Sequence, residues 1–220
     1  MFATSDLFDD FDPAQVAAIT SGITRQHQAD GEARAMRKAS KIQTRRANAE
    51  KHLADILPAR FQAGESWHVV SRGDIDALSY LRHALNGTTH FDHVLLSTWC
   101  IAKPDLQEIE HWLDAGRIDQ FELYAGEIFP SQYGDEYETM LRLCDTYGAR
   151  MVVARNHSKI TLASNLAEEY RLVVESSANV NTNPRIEQSA IHCSDELHAF
   201  YLEFFHGIRS IDKHSARQAR

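Results

Sequence analysis

Two short runs of this sequence carry side chains suited to chemistry on an anionic ester. The first reads Arg155-Asn156-His157-Ser158-Lys159-Ile160-Thr161-Leu162, with a histidine and a lysine two positions apart. In an extended chain a period of two puts both on one surface and turns Ile160 and Leu162 to the other. An imidazole can attack or carry a proton near neutral pH, and an ammonium can neutralise an oxyanion beside it. The second run, from Val173 to Asn181, repeats the spacing: Ser177 and Asn179 stand two apart, with Asn181 and Glu187 following. Short polar groups of this kind suit holding oxyanions and orienting an imidazole. A face built from both runs could bind a phosphodiester and attack it.

These residues need elements to hold them, and the texture of the chain supplies them. Residues 13–57 are rich in Ala, Arg, Gln, Glu and Lys and poor in β-branched residues, which predicts helix, with Gly31 as a break point. Pro58 and Gly64-Glu65-Ser66 mark a boundary. Beyond it, short apolar runs predict strands at 67–70, 93–98, 121–125 and 151–154, separated by amphipathic helices at 74–85, 103–115 and 133–147. The rhythm then changes to a hairpin of strands at 159–162 and 171–174, followed by a helix at 195–205. The predicted class is α/β, a mixed sheet flanked by helices, with an N-terminal helical extension. The expected organisation is an acidic tip and basic extension over 1–64, a catalytic-type domain over 65–210, and a basic tail over 211–220.

At its two polar runs the chain resembles the phospholipase D-like phosphodiesterase superfamily, and in particular the single-motif dimeric nucleases of bacteria and their phages. His157-Ser158-Lys159 matches the His-x-Lys half of that motif. Ser176-Ser177-Ala178-Asn179 matches the Gly-Ser-x-Asn half with Ser in place of Gly, and Glu187 fits the trailing acid. The order of elements over residues 67–207 is similar to one half of that fold. Two departures stand out. Ser164 occupies the position five after the lysine where the family carries Asp, and the Lys159-to-Ser177 interval of 18 residues is longer than the family's. The tyrosyl-DNA phosphodiesterase branch also works without that Asp. The resemblance implies catalytic roles for His157, Lys159, Ser177, Asn179 and Glu187, a phosphohistidine intermediate, and no metal or other cofactor. It also implies a second histidine, for which the natural source in a chain with one motif is a twofold homodimer that brings two His157 side chains together at the axis. The alternative is a degenerate domain of the same fold that binds nucleic acid or builds assemblies without turnover.

Charge narrows the partner. The chain has 23 Lys/Arg against 31 Asp/Glu, a formal charge of −8. Between Arg25 and Lys51, eight basic residues face three acidic ones, so this segment is +5 and the remainder −13. Arg34, Arg37, Lys38, Lys41, Arg45 and Arg46 recur at helical spacings and are the expected nucleic-acid contacts. The first dozen residues interleave Phe2, Leu7, Phe8 and Phe11 with four aspartates, a composition suited to docking on a protein partner. Three widely spaced cysteines form no disulfide or zinc pattern, and the acidic start and short apolar runs suggest neither a leader nor a membrane span. A cytoplasmic location is expected. His90 and His93 have no third or fourth ligand at a recognisable spacing and read as surface or capping histidines rather than metal ligands, and the group His192, Cys193, Asp195 and His198 straddles a helix start that Ser194 or Asp195 explains as an N-cap.

Overall fold

The computed structural model describes residues 41–73, 75–180 and 185–215, with the side chains of 41–45 outside that description. Two units divide the chain, 1–39 and 40–220. The first lies outside the described residues, as do Arg34, Arg37 and Lys38, the docking-peptide segment, Asn181, and the end of the basic tail.

In the second unit, helix α1 (Lys41–Ile56) leads to strand β1 (Ser66–Ser71). Then follow α2 (Ala77–Gly87), β2 (Phe91–Thr98), α3 (Lys103–Asp114), β3 (Ile118–Gly126), a short turn of helix α4 (Phe129–Gln132), α5 (Gly134–Tyr147) and β4 (Arg150–Ala154). Strands β5 (Ile160–Asn165), β6 (Tyr170–Ser176) and β7 (Glu187–Cys193), then helix α6 (Asp195–His206), complete it. The seven strands form one sheet in the order β1-β7-β6-β5-β2-β3-β4. Strands β2, β3 and β4 are mutually parallel, and the pairs β2/β5, β5/β6, β6/β7 and β7/β1 are antiparallel. The α/β class with a mixed, helix-flanked sheet is therefore the fold of this chain.

Side-chain alternation sorts the sheet into two buried faces. Val94, Leu96, Leu123, Ala125, Met151, Val153, Ala163 and Val174 join the apolar sides of α2, α3 and α5, and also Ala49 and Leu53 of α1 and Phe61 beyond it. On the opposite face Leu95, Tyr124, Val152, Leu162 and Val173 pack on Phe205, Leu197, Tyr201 and Leu202 of α6. Helix ends follow their local chemistry. Asp76 caps α2 by accepting from Ser79 N, and Ser194 caps α6 by accepting from Leu197 N. Helix α5 stops at Gly148, whose φ of 68° is the left-handed conformation that glycine adopts without strain.

Several local outcomes differ from the sequence expectation, among them a helix that begins at Ala77 rather than 74 and a strand that begins at Ile118 rather than 121. Helix 133–147 begins one residue later, after a separate short turn ending at Gln132. Strand β5 begins at Ile160, so His157 and Lys159 precede the strand in the connection from β4. Strand β7 was not anticipated. It alternates buried Ser189, Ile191 and Cys193 with more exposed neighbours and fills the gap between β1 and β6.

Candidate active site

Because β2, β3 and β4 run parallel, their carboxyl ends share one edge of the sheet, where open α/β sheets leave room for ligands. The antiparallel hairpin brings the start of β5, the end of β6 and the start of β7 to that same edge. Both polar runs therefore converge there.

The connection after β4 is held by Asn156. Its amide Nδ2 donates to Ser97 Oγ at 2.9 Å and to the Tyr124 carbonyl at 2.8 Å, stitching the ends of β2 and β3. Its Oδ1 accepts from Ser158 N at 3.0 Å and Ser158 Oγ at 2.7 Å, which fixes the turn between the histidine and the lysine. Ser158 Oγ lies 2.6 Å from Ser97 Oγ. The exposed His157 ring lies 5.7 Å from the Trp99 ring, centroid to centroid. Trp99 in turn sits over Gly126, where a Cβ would come within 2.5 Å of its ring and 2.9 Å of its carbonyl oxygen.

Lys159 is 8% exposed. Its Nζ donates to the His157 carbonyl at 2.6 Å and meets His157 Nδ1 at 3.0 Å, so cation and imidazole touch. Burial pushes the lysine pKa down, and the nearby Cys100 and Glu187 only partly oppose it. A largely buried ammonium met by one carbonyl and one imidazole, and by no hydrogen-bonded carboxylate among the described residues, is a site for an incoming anion.

The second run closes the other side. Ser176 N donates to the Lys159 carbonyl at 2.9 Å, which extends the β5/β6 ladder into the site. Ser177 Oγ donates to Glu187 and accepts from Gln188 N at 3.0 Å, so the serine and the acid are coupled. Asn179 Oδ1 accepts from Thr98 Oγ1 at 3.5 Å, and its carbonyl accepts from Ala77 N at 3.2 Å. Asn179 is thus tied to the end of β2 and the start of α2.

Among the described residues, no carboxylate hydrogen-bonds His157. Glu175 is engaged by Tyr201 and by His192 Nε2 at 3.2 Å, and Glu168 by Arg60 and Thr88. Ser164, in the position of the family's Asp, is buried in β5. Of the expected nucleic-acid contacts with described side chains, Arg46 faces inward and pairs with Asp105 and, at 3.0 Å, with Glu108 of α3. Lys41 and Arg45 lie on α1, but their side chains are outside the description. Asn156 and Ser97 escaped the sequence reading. The only signal was a polar residue immediately before the His-x-Lys run.

Comparison with protein-family profiles and with curated protein sequences finds no match. Solved structures with a similar course include TrmBL2, an archaeal chromatin protein whose structure is described as showing a novel mode of DNA binding. It is 12% identical over 89% of this chain and 68% of its own, with a TM-score of 0.47. Polyphosphate kinase from Porphyromonas gingivalis is 13% identical over 64% of this chain, with a TM-score of 0.48. Phosphatidylserine synthase from Haemophilus influenzae Rd KW20 is 14% identical over 87% of this chain, with a TM-score of 0.46. This chain spans 25% of the kinase and 51% of the synthase. No function is carried across from likenesses this distant. Among the described residues, no helix is long and apolar enough to cross a membrane.

Proposed function

We propose that this chain is a phospholipase D-like phosphodiesterase, a metal-independent nuclease or DNA phosphodiesterase that works as a homodimer. The observation that supports it most is the contact of exposed His157 with buried Lys159, on the same sheet edge as the coupled Ser177–Glu187 pair and Asn179. A ring nitrogen of His157 attacks phosphorus and forms an N–P bond. The P–O bond to the leaving group breaks, and the departing oxygen takes a proton from the His157 of a second copy. That histidine then removes a proton from water, which attacks the phosphohistidine, and the N–P bond breaks to release a phosphomonoester. Lys159, Ser177 and Asn179 supply the cation and hydrogen-bond partners for the charged equatorial oxygens. The anionic phosphoryl oxygen is a better acceptor than an imidazole nitrogen, so it draws the Lys159 ammonium off His157 and frees the ring to react. The exposure of His157 leaves it open to a twofold mate.

Nucleic acid is the proposed substrate because the +5 segment contrasts with the −13 remainder. The second reading, a domain that binds without turnover, draws on the lack of a carboxylate bonded to His157 among the described residues.

The test follows hydrolysis of a chromogenic phosphodiester and of labelled DNA in excess EDTA, for the parent and His157→Ala, with mass measured in solution. A dimer is expected, with activity that survives EDTA and falls about a thousandfold or more in the variant, as loss of a nucleophile does elsewhere. Activity abolished by chelation, or indifferent to His157, sinks the mechanism. An inactive parent that still binds DNA selects the second reading.

A further inference from the structure

Away from the His157 edge, on the face covered by α6, three side chains from distant parts of the chain meet. His93 enters from β2, Glu122 from β3 and His206 from the last turn of α6. His93 Nε2 and His206 Nε2 each lie 3.0 Å from the same oxygen, Glu122 Oε1. One ligand atom from each residue lies within 4.8 Å of the others. The other carboxylate oxygen, Oε2, is already taken by Arg150 Nη1 at 3.0 Å and Tyr124 OH at 3.0 Å. The outer partners thus aim Oε1 alone at the two imidazoles, as groups behind a metal ligand do.

The three residues line an open cavity of about 600 Å³ between α6 and the amino-terminal part of β2 and β3. His198 of α6 lines the same cavity, is 4% exposed, and its Nε2 has no hydrogen-bond partner among the described residues. A buried imidazole nitrogen left unpaired is costly, and a hydrated ion in the cavity would bring it a water. Two imidazoles and one carboxylate from neighbouring elements, with room for water or a ligand, are a donor set for the borderline divalent metals. Magnesium and calcium prefer all-oxygen shells.

We propose that His93, Glu122 and His206 form a binding site for one divalent cation of the zinc class, separate from the His157 edge and not needed for its chemistry. Arg150 offsets part of the carboxylate's charge, so the site binds more weakly than one with a free carboxylate. The competing account is an ion pair in which both imidazoles are protonated and simply donate to Glu122.

The test uses the full chain, stripped with chelator and dialysed, and titrated with Co²⁺ as a spectroscopic probe and with Zn²⁺ by calorimetry. One equivalent is expected to bind, with visible d–d bands from the cobalt that zinc abolishes. His206→Ala removes an exposed side chain at a helix end, so the fold survives. It should weaken binding at least about a hundredfold, since loss of an outer-shell partner alone costs ten- to a hundredfold. His93→Ala should do the same. His90→Ala removes a histidine of the separate cluster His90, Asp92 and Asp119, where it pairs with Asp119, and should leave affinity unchanged. Absence of a stoichiometric site, or an affinity that survives both His206→Ala and His93→Ala, overturns the proposal. His157→Ala should bind metal like the parent, and His206→Ala should hydrolyse phosphodiesters like the parent, so this site and the phosphodiesterase reading fail independently.

Discussion

Replacing Lys159 with methionine separates chemistry from stability at the His157 edge. The methionine keeps most of the unbranched stem and loses only the ammonium. Lys159 is 8% exposed, and its charge is met by one carbonyl at 2.6 Å and one imidazole nitrogen at 3.0 Å, with Glu187 near enough to help. A hydrogen bond from a charged donor contributes about 1.5–3 kcal/mol, whereas taking an ammonium out of water costs several kcal/mol even after relaxation. The balance is visible in the lysine itself, because burial pulls its pKa below the ordinary 10.5 despite both neighbouring acidic groups. The charged form is therefore less favourable in the fold than in water. Lys159→Met should unfold in urea within about 1 kcal/mol of the parent, on either side, because core replacements that conserve volume usually cost little. Hydrolysis should fall by about a hundred- to a thousandfold, the usual cost of removing one preorganised charge-stabilising group. The pH dependence gives a second readout. A lysine whose folded pKa is depressed binds fewer protons folded than unfolded, so its contribution to stability rises with pH from the folded value up to 10.5. That rise should be present in the parent and missing in Lys159→Met. A variant that loses more than about 3 kcal/mol of stability while its remaining folded fraction keeps full activity would refute the argument and make Lys159 a structural residue.

Gly126→Ala drives a methyl into the Trp99 ring and backbone, at 2.5 and 2.9 Å. It should cost about 1–3 kcal/mol, the usual price of overpacking, and shift tryptophan emission, with hydrolysis falling because Trp99 flanks His157. Unchanged emission and melting would show that the contact gives way freely. On α3, burial and then neighbouring Asp76 raise the Asp105 pKa from 3.8 to about 6, even though Arg46 pairs with it. A carboxyl with a raised folded pKa carries its full cost above that value and loses it as pH falls toward the ordinary one. At about 1.4 kcal/mol per pH unit, acidification from pH 7 to 4 should return about 2 kcal/mol from this group. Denaturation curves at both pH values should show that difference between the parent and Asp105→Asn, and parallel pH profiles would count against it.

The alternation of strands and helices was legible because Val94, Leu96, Leu123 and Val153 follow the period their elements impose, and because Ser194 is a good cap before a helical run. Strand β7 was not, since Glu187–Cys193 holds only two strongly apolar positions amid polar residues, and its pairing with β1 is a long-range property. The polar runs around His157 and Ser177 could be picked out by spacing because each is local. The turn that holds them depends on Asn156 bridging the ends of two other strands, which no local pattern encodes. His93, Glu122 and His206 lie still further out of reach of a linear reading. The sequence offers His93 only His90 at a ligand spacing, whereas its two companions in space arrive on other elements.

The hairpin of β5 and β6 explains why the halves of the site can tolerate an unusual separation in sequence. Their ladder runs from Ile160 opposite Glu175 to Asn165 opposite Tyr170, and only residues 166–169 lie beyond its far end. Lys159 and Ser176 are joined at the near end, whatever happens at the other. Residues added or removed at the turn lengthen or shorten the hairpin away from the chemistry, like a hem let down at the end remote from the buckle. Distance along the chain between lysine and serine is then nearly free to drift, while their distance in space is pinned. A search that demands a fixed interval between the two halves would pass over chains of this kind, whereas one that demands a hairpin between them would not.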